Sequence, residues 1–153
     1  MKGKFNFQQD LAVAQVTQQR IAEKLLELLQ DSDLLSSDNN NNSYDIAVER
    51  RGTIITFELK EDFKSRETGN IFIEYSCNRK PSGIRTTKAN FYILTVAPKD
   101  GTFEDYIIPT KVLKQMIDDE LWFMEASGGD NGTAKGYLFK FNTITKHEKC
   151  LNF

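Results

Sequence analysis

The stretch "YDIAVERRGTIITFELK", residues 44–60, contains two segments of alternating polarity joined by an Arg-Gly pair. In the first segment Ile46 and Val48 share one face of a strand and Asp45 lies on the other, because strand side chains alternate between two faces. The Arg-Gly pair predicts a tight turn, after which the second segment returns along the first. The stretch therefore predicts an antiparallel hairpin.

The second strand of this hairpin ends in Glu58 and Lys60, which point to the same side about 7 Å apart along the chain. Two carboxylates on paired strands, Asp45 and Glu58, with a lysine alongside are typical of a divalent magnesium site. We expect the Leu59 carbonyl to be a further metal ligand. Lys60 would position or activate water and stabilise the charge that develops on a scissile phosphate.

The chain has 153 residues, of which 27% are charged and 39% hydrophobic, and its formal net charge is −2. These values predict a single domain spanning residues 1–153 and argue against a protein that binds nucleic acid or membranes through bulk charge. No apolar run approaches the roughly 18 residues that span a bilayer, and the N-terminus has no apolar signal-peptide core. We therefore expect no membrane partner and a cytoplasmic protein, in the host cytoplasm if a phage encodes it.

Histidine and cysteine are scarce: the chain has one histidine, His147, and two distant cysteines, Cys77 and Cys150. They are too few for a Cys/His zinc site, an H-E-x-x-H protease, a histidine-based nuclease or a disulfide framework. Phosphate-loop and nucleophile-elbow motifs are absent as well. If the protein is an enzyme, carboxylates and lysines must perform the chemistry.

Upstream of the hairpin, residues 9–30 predict an amphipathic helix, since apolar residues recur at spacings of three and four. The apolar stripe consists of Leu11, Ala14, Ile21, Leu25 and Leu28, and Gln18 interrupts it. Residues 31–43 are polar and Asn-rich, and predict a flexible loop.

Downstream of the hairpin, turn residues separate several further elements. We expect a third strand (71–75), a short helix (81–90), a buried strand (91–96), a strand (105–109), a helix with Thr110 as N-cap (110–122), a Gly-rich loop (127–136) and a last strand (137–142). This order predicts an α/β fold with a central mixed β-sheet flanked by helices.

The order of these features resembles the PD-(D/E)XK nuclease superfamily, in which a helix is followed by an acid at a strand start and by E-x-K at a strand end. Here the acid is Asp45 in "SYDI" and the triplet begins at Glu58, while Tyr44 stands where the family has its proline. The resemblance implies a restriction-endonuclease-like core and a Mg²⁺-dependent DNA endonuclease that also accepts Mn²⁺. It implies a homodimer or higher homo-oligomer too, because cutting two strands with one site per chain requires two chains.

Residues 58–94 are also similar to phage and cyanobacterial members of that superfamily, of homing or resolvase type. The matching positions are Asp62, Thr68, Gly69, Asn70, Glu74, Ser82, Gly83, Thr87 and Lys88. Relatives often carry a glutamate on the first helix that joins the metal site, and Gln18, or Gln19 one step on, has that place here. The resemblance gives Gln18 a role in ordering the site, and gives Glu74 and Asp62 supporting roles behind the metal ligands, with Glu74 holding Lys60.

No Asp or Glu occurs between Tyr75 and Pro98, although the whole chain is slightly acidic. The same stretch contains cations and hydroxyl groups, which together are typical of a surface that binds phosphate backbones. The candidate DNA-binding residues are Arg79, Lys80, Ser82, Arg85, Thr87 and Lys88. Lys135, in the Gly-rich segment, belongs either to a second groove-contacting loop or only to a hairpin connection.

Simpler interpretations exist for each of these residues. Glu58 and Lys60 could form a solvated ion pair on an edge strand, and Asp45 could merely begin its strand. Gln18 could lie on the helix surface or be a satisfied core amide, and Glu74 could be an ordinary exposed residue. The basic stretch could be a solvated loop.

Two functional alternatives also stay open. A Holliday-junction or branched-DNA resolvase would use the same core chemistry on a different substrate. A catalytically inactive, DNA-binding member of the fold is favoured by Gln18 in place of a glutamate. It is opposed by the complete set of Asp45, Glu58 and Lys60.

Overall fold

The structure is a computed structural model that describes residues 7–37, 43–96 and 102–153, without the side chains of residues 7–14 and 130. The helices are α1 (Phe7–Leu28), α2 (Ser65–Thr68), α3 (Thr110–Asp118) and α4 (Phe141–Thr145). The strands are β1 (Ser32–Ser37), β2 (Ile46–Arg50), β3 (Thr53–Asp62), β4 (Asn70–Cys77), β5 (Lys80–Pro81), β6 (Phe91–Val96), β7 (Glu104–Pro109), β8 (Met124–Gly128), β9 (Ala134–Lys140) and β10 (Leu151–Asn152). None of the described helices is long and apolar enough to cross a membrane.

A mixed sheet forms the centre of the molecule, with the strand order β1-β2-β3-β6-β7-β10. Strands β3 and β6 are parallel, and every other neighbouring pair in this sheet is antiparallel. The predicted α/β fold with a mixed central sheet is confirmed. Strand β3 is interior to this sheet as far as Phe57, where its pairing with β2 ends, and Glu58 and Lys60 lie beyond that point and pair with β6 alone. Among the described residues Glu58 and Lys60 form no ion pair with each other.

The predicted hairpin is present as β2 and β3, with Ile46 opposite Phe57 and Val48 opposite Ile55. Its two turn residues, Arg51 and Gly52, have φ angles of 51° and 80°. Two consecutive residues with positive φ form the tight turn whose twist matches that of the flanking strands. The local sequence is therefore sufficient to fix the register of this hairpin.

The connection from β3 to the parallel strand β6 contains a second sheet. Parallel neighbours need a crossover connection, which is usually a helix. Here the crossover contains α2, β4, β5 and a 3₁₀ turn at Gly83–Arg85. Strand β4 joins a separate sheet of order β5-β4-β9-β8. The predicted third strand therefore exists but does not belong to the central sheet.

The two faces of the central sheet are covered differently. On one face, Ile21 and Leu25 of α1 pack against a buried cluster that includes Ile46 and Phe57. On the other face, the core consists of central-sheet residues, the second sheet and parts of α3 and α4: Ile71, Ile73, Ile84, Tyr92, Leu94, Val96, Tyr106, Ile108, Leu113, Met116, Phe139 and Ile144. The prediction of helices on both sides is therefore correct for the α1 face and incomplete for the other.

An ion cluster joins α1 to the central sheet at Asp105, whose side chain is fully buried. Arg20 and Lys24 each place a nitrogen 2.6 Å from the Asp105 carboxylate, and the Thr95 hydroxyl donates a hydrogen bond of 2.8 Å. Burial alone would raise the pKa of Asp105, but these hydrogen bonds outweigh it and hold the pKa below its usual value. The carboxylate is buried as a compensated charge.

Several predicted boundaries are corrected. Within the predicted loop 31–43, Ser32–Ser37 form β1, which pairs with β2, while residues 38–42 lie outside the described residues. The helix predicted at 81–90 is only the 3₁₀ turn, because the backbone at Lys88 donates instead to the Ser43 carbonyl, 2.9 Å away. Tertiary hydrogen bonds replace the helical ones there.

Further corrections concern α1, α3 and the Gly-rich segment. Leu28 is 45% exposed, so the buried stripe of α1 ends at Leu25; the side chains of Leu11 and Ala14 lie outside the described residues. Helix α3 begins at Thr110, its N-cap is Pro109, and no side chain caps it. The predicted loop 127–136 includes the ends of β8 and β9.

Candidate active site

Asp45 lies immediately before β2 and continues its pairing with β3. Its backbone N–H donates to the Phe57 carbonyl at 2.9 Å, and its carboxylate accepts a 2.7 Å hydrogen bond from the Leu59 N–H. If β2 extended further toward the N-terminus, a backbone carbonyl before Asp45 would accept the Leu59 hydrogen bond. The side chain of Asp45 takes the place of that carbonyl. Asp45 thus directly precedes the strand, close to the simpler interpretation, and its carboxylate is also fixed beside the second half of β3.

The Leu59 carbonyl points to the same side of β3 as its N–H, because each strand residue directs both groups toward one neighbour. That side is the one where β2 has ended and Asp45 accepts the Leu59 hydrogen bond. No backbone group among the described residues donates to the Leu59 carbonyl from β2. Among the residues described, this oxygen therefore has no backbone donor from β2, and it is a candidate ligand atom next to Asp45.

Glu58 is half-buried on the face of β3 that also carries Lys60. Its carboxylate accepts a hydrogen bond of 3.0 Å from the Thr87 hydroxyl. Burial and the negative charge of Asp45 raise the pKa of Glu58 to about 7, against the smaller opposing effects of Thr87 and Lys60. Burial also raises the pKa of Asp45, although the Leu59 hydrogen bond opposes it. At both acids the effects that disfavour the ionised carboxylate therefore exceed the hydrogen bonds and positive charge that favour it.

Lys60 shares the face of Glu58 and lines a pocket of about 510 Å³ between the end of β3 and the second sheet. Among the described residues its ammonium group forms no hydrogen bond or ion pair, and its influence on Glu58 is electrostatic. Lys60 is thus close enough to Glu58 to act on it electrostatically, and it has no fixed partner among the described residues.

Gln18 is buried in α1, 5% exposed, and its side-chain amide donates to the backbone carbonyl of Asp45 at 2.9 Å. This contact agrees with the interpretation of a satisfied core amide, and it also holds the main chain of a candidate metal ligand. Gln19, the alternative position, is exposed and bonds to Glu23 on its own helix. Gln18 is therefore the helix residue that the fold brings to the site.

The two acids predicted to support the site have other partners. The Asp62 carboxylate accepts hydrogen bonds from the backbone of Ser65 at 3.0 Å and of Phe72 at 3.3 Å. Glu74 accepts one from the Ser82 hydroxyl at 2.9 Å. Within the described part of the chain, neither acid forms an ion pair with Lys60. Their visible role is to hold α2, β4 and the 82–85 turn in place.

All four of these acids act electrostatically on Tyr92, a buried residue that pairs with Glu58 in the parallel register. Burial and then the charges of Glu58, Glu74, Asp45 and Asp62 raise the pKa of Tyr92 far above its usual value. Tyr92 therefore stays a neutral phenol. The fold brings the predicted acids to one end of the central sheet.

The residues of this site can be compared with the needs of the divalent cation that the sequence predicts. In the described ranges no three His, Cys, Asp or Glu side chains are close enough to hold a metal. The protein therefore offers two carboxylates, Asp45 and Glu58, and the carbonyl of Leu59. Mg²⁺ is commonly held by one or two carboxylates and completes its shell with water and substrate phosphates. The raised pKa values indicate desolvated negative charge that a cation would stabilise, so the set fits Mg²⁺.

A basic groove of about 810 Å³ lies between the β4–β5 hairpin and the loop before β9. Arg79, Lys80, Arg85 and Lys135 line it, and none of the described lining residues is acidic. The Arg85 guanidinium lies 4.2 Å from the centre of the Tyr75 ring, which restricts its motion. The two basic segments that the sequence shows separately, 79–85 and Lys135, thus form one surface.

The other three candidate DNA-binding residues lie elsewhere. The hydroxyls of Ser82 and Thr87 donate to Glu74 and Glu58, so these side chains connect the basic stretch to the acids. Lys88 is exposed in a different groove, beside Lys111 and Lys114 at the start of α3. The basic stretch therefore divides between two surfaces.

Sequence reasoning missed the contact of Thr87 with Glu58 and the contribution of Lys111 and Lys114. No sequence pattern indicates the first, since the two residues are 29 positions apart. For the lysines a signal was present: they are the second and fifth residues of a predicted helix, whose first turn usually carries acidic residues.

In comparisons with models of known protein families, with curated proteins and with solved structures, the chain matches none. Its function must therefore be inferred from the geometry and chemistry of the described residues.

Proposed function

We propose that this protein is a metal-dependent endonuclease of the PD-(D/E)XK type that hydrolyses phosphodiester bonds in DNA. Within this proposal the α1 helix, the β2–β3 hairpin and the parallel strand β6 correspond to a restriction-endonuclease-like core. The second sheet would be an addition between β3 and β6.

One observation carries the proposal: Asp45 is fixed to the Leu59 N–H directly beside Glu58, on the part of β3 beyond the end of β2, which also presents Lys60. Two neighbouring half-buried carboxylates destabilise the metal-free protein when both are ionised, and the raised pKa of Glu58 reflects this unfavourable free energy. Such an unfavourable arrangement is expected where a bound cation offsets it.

The residues have distinct tasks in this mechanism. Asp45, Glu58 and the Leu59 carbonyl would hold Mg²⁺, or Mn²⁺ in its place. A bound Mg²⁺ supplies Lewis acidity to a phosphoryl oxygen and lowers the pKa of a coordinated water. Lys60 would orient the attacking water and stabilise negative charge on the phosphate, since its ammonium has no other partner among the described residues. Gln18 keeps the backbone of Asp45 in place.

DNA would be held by the groove of Arg79, Lys80, Arg85 and Lys135, whose cations suit the phosphate backbone. A chain with one site cuts one strand at a time, so double-strand cleavage would require a homodimer or a higher homo-oligomer. We propose duplex DNA as the substrate on the resemblance to that superfamily alone, and a second copy of the chain as the partner that double-strand cleavage would need.

The test is a cleavage assay with supercoiled plasmid, linear duplex and four-way junction DNA, with Mg²⁺, with Mn²⁺ and with EDTA. We expect nicking or cutting that EDTA abolishes and that Lys60→Ala reduces by about 100-fold, the size of a general acid–base or charge-stabilising contribution. Lys146→Ala, an exposed lysine on the last turn after α4, is the control and should keep full activity. Undiminished cleavage by Lys60→Ala would rule out this mechanism.

A non-catalytic, DNA-binding protein is the second candidate, and Gln18 is the observation that favours it. Its neutral amide binds a backbone carbonyl and adds no charge to the metal site. Calorimetric titration with Mn²⁺ separates the candidates. Binding that Asp45→Asn and Glu58→Gln abolish would support the enzyme, whereas no binding to the unaltered protein would support the second candidate. Preferential cutting of the four-way junction would instead identify a resolvase.

A further inference from the structure

A second basic groove lies against the N-terminus of α3. It measures about 590 Å³ and is bounded by the start of β3, residues 87–91 and the first turn of α3. Three lysines, Lys88, Lys111 and Lys114, line it, and no described residue of its lining is acidic. Lys88 lies more than twenty residues before Lys111 and Lys114, which belong to the same helix. The fold therefore brings positive charge from two distant segments into one groove.

The first turn of α3 departs from the usual pattern of a helix N-terminus. No side chain of a described residue caps it, and it contains no acidic residue. Lys111 in this turn and Lys114 directly after it place positive charge at the end of the helix that is already electropositive. The Thr110 N–H donates to the Asn90 carbonyl at 3.0 Å, which leaves the next two amides without an intrahelical acceptor. Each of these departures favours an anion at this position.

The Thr110 side chain provides an independent indication. Thr110 is 4% exposed and lines the groove, yet within the described ranges its hydroxyl has no hydrogen-bond partner. Buried hydroxyl groups almost always have a partner, and an unpaired one is costly. An oxygen atom of a bound group in the groove would accept this hydrogen bond.

We propose that the N-terminus of α3, with Lys88, Lys111, Lys114 and the Thr110 hydroxyl, binds a phosphate group of a nucleic-acid backbone. Helix amides, a hydroxyl and several lysines are the donors that phosphate oxygens receive in such contacts. The nucleic-acid origin of the phosphate rests on the proposed function, whereas the binding of phosphate itself rests on the groove alone.

This phosphate position is connected to the candidate active site through Thr87. The residue lines the groove, and its hydroxyl donates to Glu58 at 3.0 Å. The groove and the candidate active site therefore adjoin each other at Thr87.

The first experiment measures phosphate binding without any nuclease activity. Inorganic phosphate and thymidine 5′-monophosphate are titrated into the ¹⁵N-labelled protein at constant ionic strength, with sodium chloride as reference. We expect saturable shifts of the Lys111 and Val112 amides in the unaltered protein, and none in a Lys88→Ala, Lys111→Ala, Lys114→Ala variant. Shifts equal to those with chloride would overturn the site.

Thr110→Val and Thr110→Ser form a matched pair. We expect Thr110→Val to fold with an unchanged or higher Tm, because it removes an unpaired buried hydroxyl, and to bind phosphate several-fold more weakly. Thr110→Ser should retain binding. A Tm loss in Thr110→Val with unchanged phosphate affinity would show that the hydroxyl is structural.

Binding to a duplex in EDTA, where no cleavage occurs, tests the nucleic-acid origin. Removing one lysine that binds a backbone phosphate should reduce the magnitude of the slope of log K against log salt by about 0.9. The slope of the triple-lysine variant should therefore be smaller in magnitude by up to about 2.7. An unchanged slope, with phosphate binding intact, would assign the groove to free phosphate or a mononucleotide and overturn the backbone contact. Failure of the nuclease proposal would appear differently, as absent Mg²⁺-dependent cleavage with these binding effects preserved.

Discussion

The carboxylate of Asp45 accepts a hydrogen bond of 2.7 Å from the backbone N–H of Leu59, fourteen residues further along the chain. This bond places an acid just before the start of β2 against the residue between Glu58 and Lys60. It joins the structural role of Asp45, which leads into the strand, to its proposed chemical role as a metal ligand. The two roles can be separated by substitution.

Asp45→Asn should lose Mg²⁺-dependent cleavage by at least about 100-fold while keeping its fold, because the amide oxygen still accepts from Leu59 but carries no charge. Asp45→Ala should lose the same activity and also about 1 kcal/mol of stability, the usual net value of one hydrogen bond. Plasmid cleavage and urea unfolding measure the two effects. Equal stability of the two variants would show that the Leu59 bond contributes little.

Glu58 should make the metal-free protein less stable as pH rises. Its pKa is about 7 in the fold against 4.5 for an ordinary glutamate, so the folded state binds the extra proton between these values. Stability should fall from pH 5 to pH 8, by roughly 1–2 kcal/mol after allowance for solvent screening. In urea unfolding with EDTA, the free energy of unfolding of Glu58→Gln should therefore increase relative to that of the unaltered protein as pH rises. If the difference between the two proteins stays constant with pH, the pKa of Glu58 is not raised in the fold.

Asp105→Asn should cost about 3 kcal/mol at pH 7, because Arg20 and Lys24 lose a buried partner. The lowered pKa of Asp105 gives stability that is present above its unfolded value of 3.8 and is lost as pH falls through the folded value. The difference between variant and unaltered protein should thus shrink below about pH 4. The control is Asp31→Asn, since its ion pair with Arg51 is largely exposed and should contribute at most about 0.5 kcal/mol.

Gly83→Ala should destabilise the protein by about 3 kcal/mol, since an added Cβ would lie 2.3 Å from the Glu74 carbonyl at a φ of +52°. Displacement of this turn would also move Ser82 away from Glu74. Gly69→Ala is the matched control: its φ is +72° and nothing lies within 4 Å, so only the backbone cost of about 1 kcal/mol applies. Equal losses in thermal unfolding would show that the turn can shift freely.

Lys80→Ala combined with Lys135→Ala should weaken DNA binding and reduce the salt slope by about 1.8, since both residues line the larger basic groove. Mn²⁺ binding at Asp45 and Glu58 should not change, because neither lysine touches these acids. The control is Lys146→Ala with Lys149→Ala, which removes the same charge elsewhere. An effect of equal size in the control would indicate bulk charge rather than a groove.

Local sequence was enough to specify the β2–β3 hairpin and the shared face of Glu58 and Lys60. Alternation of side chains and a two-residue turn are local properties, and neighbouring residues are sufficient to express them. The same applies to α1 near Ile21 and Leu25 and to the buried run of β6, where hydrophobic periodicity is strong.

Pairing between distant segments, in contrast, decides that β4 belongs to the second sheet and that β6 lies parallel to β3. It also decides the contact between Thr87 and Glu58. It also separated Lys88 from Arg85 and brought Lys135 to the larger groove. These outcomes depend on which distant strands pair and on how a crossover packs, and local periodicity contains no information about either. The acids of the site could be predicted because they lie on one hairpin; the basic grooves could not, because distant segments form them.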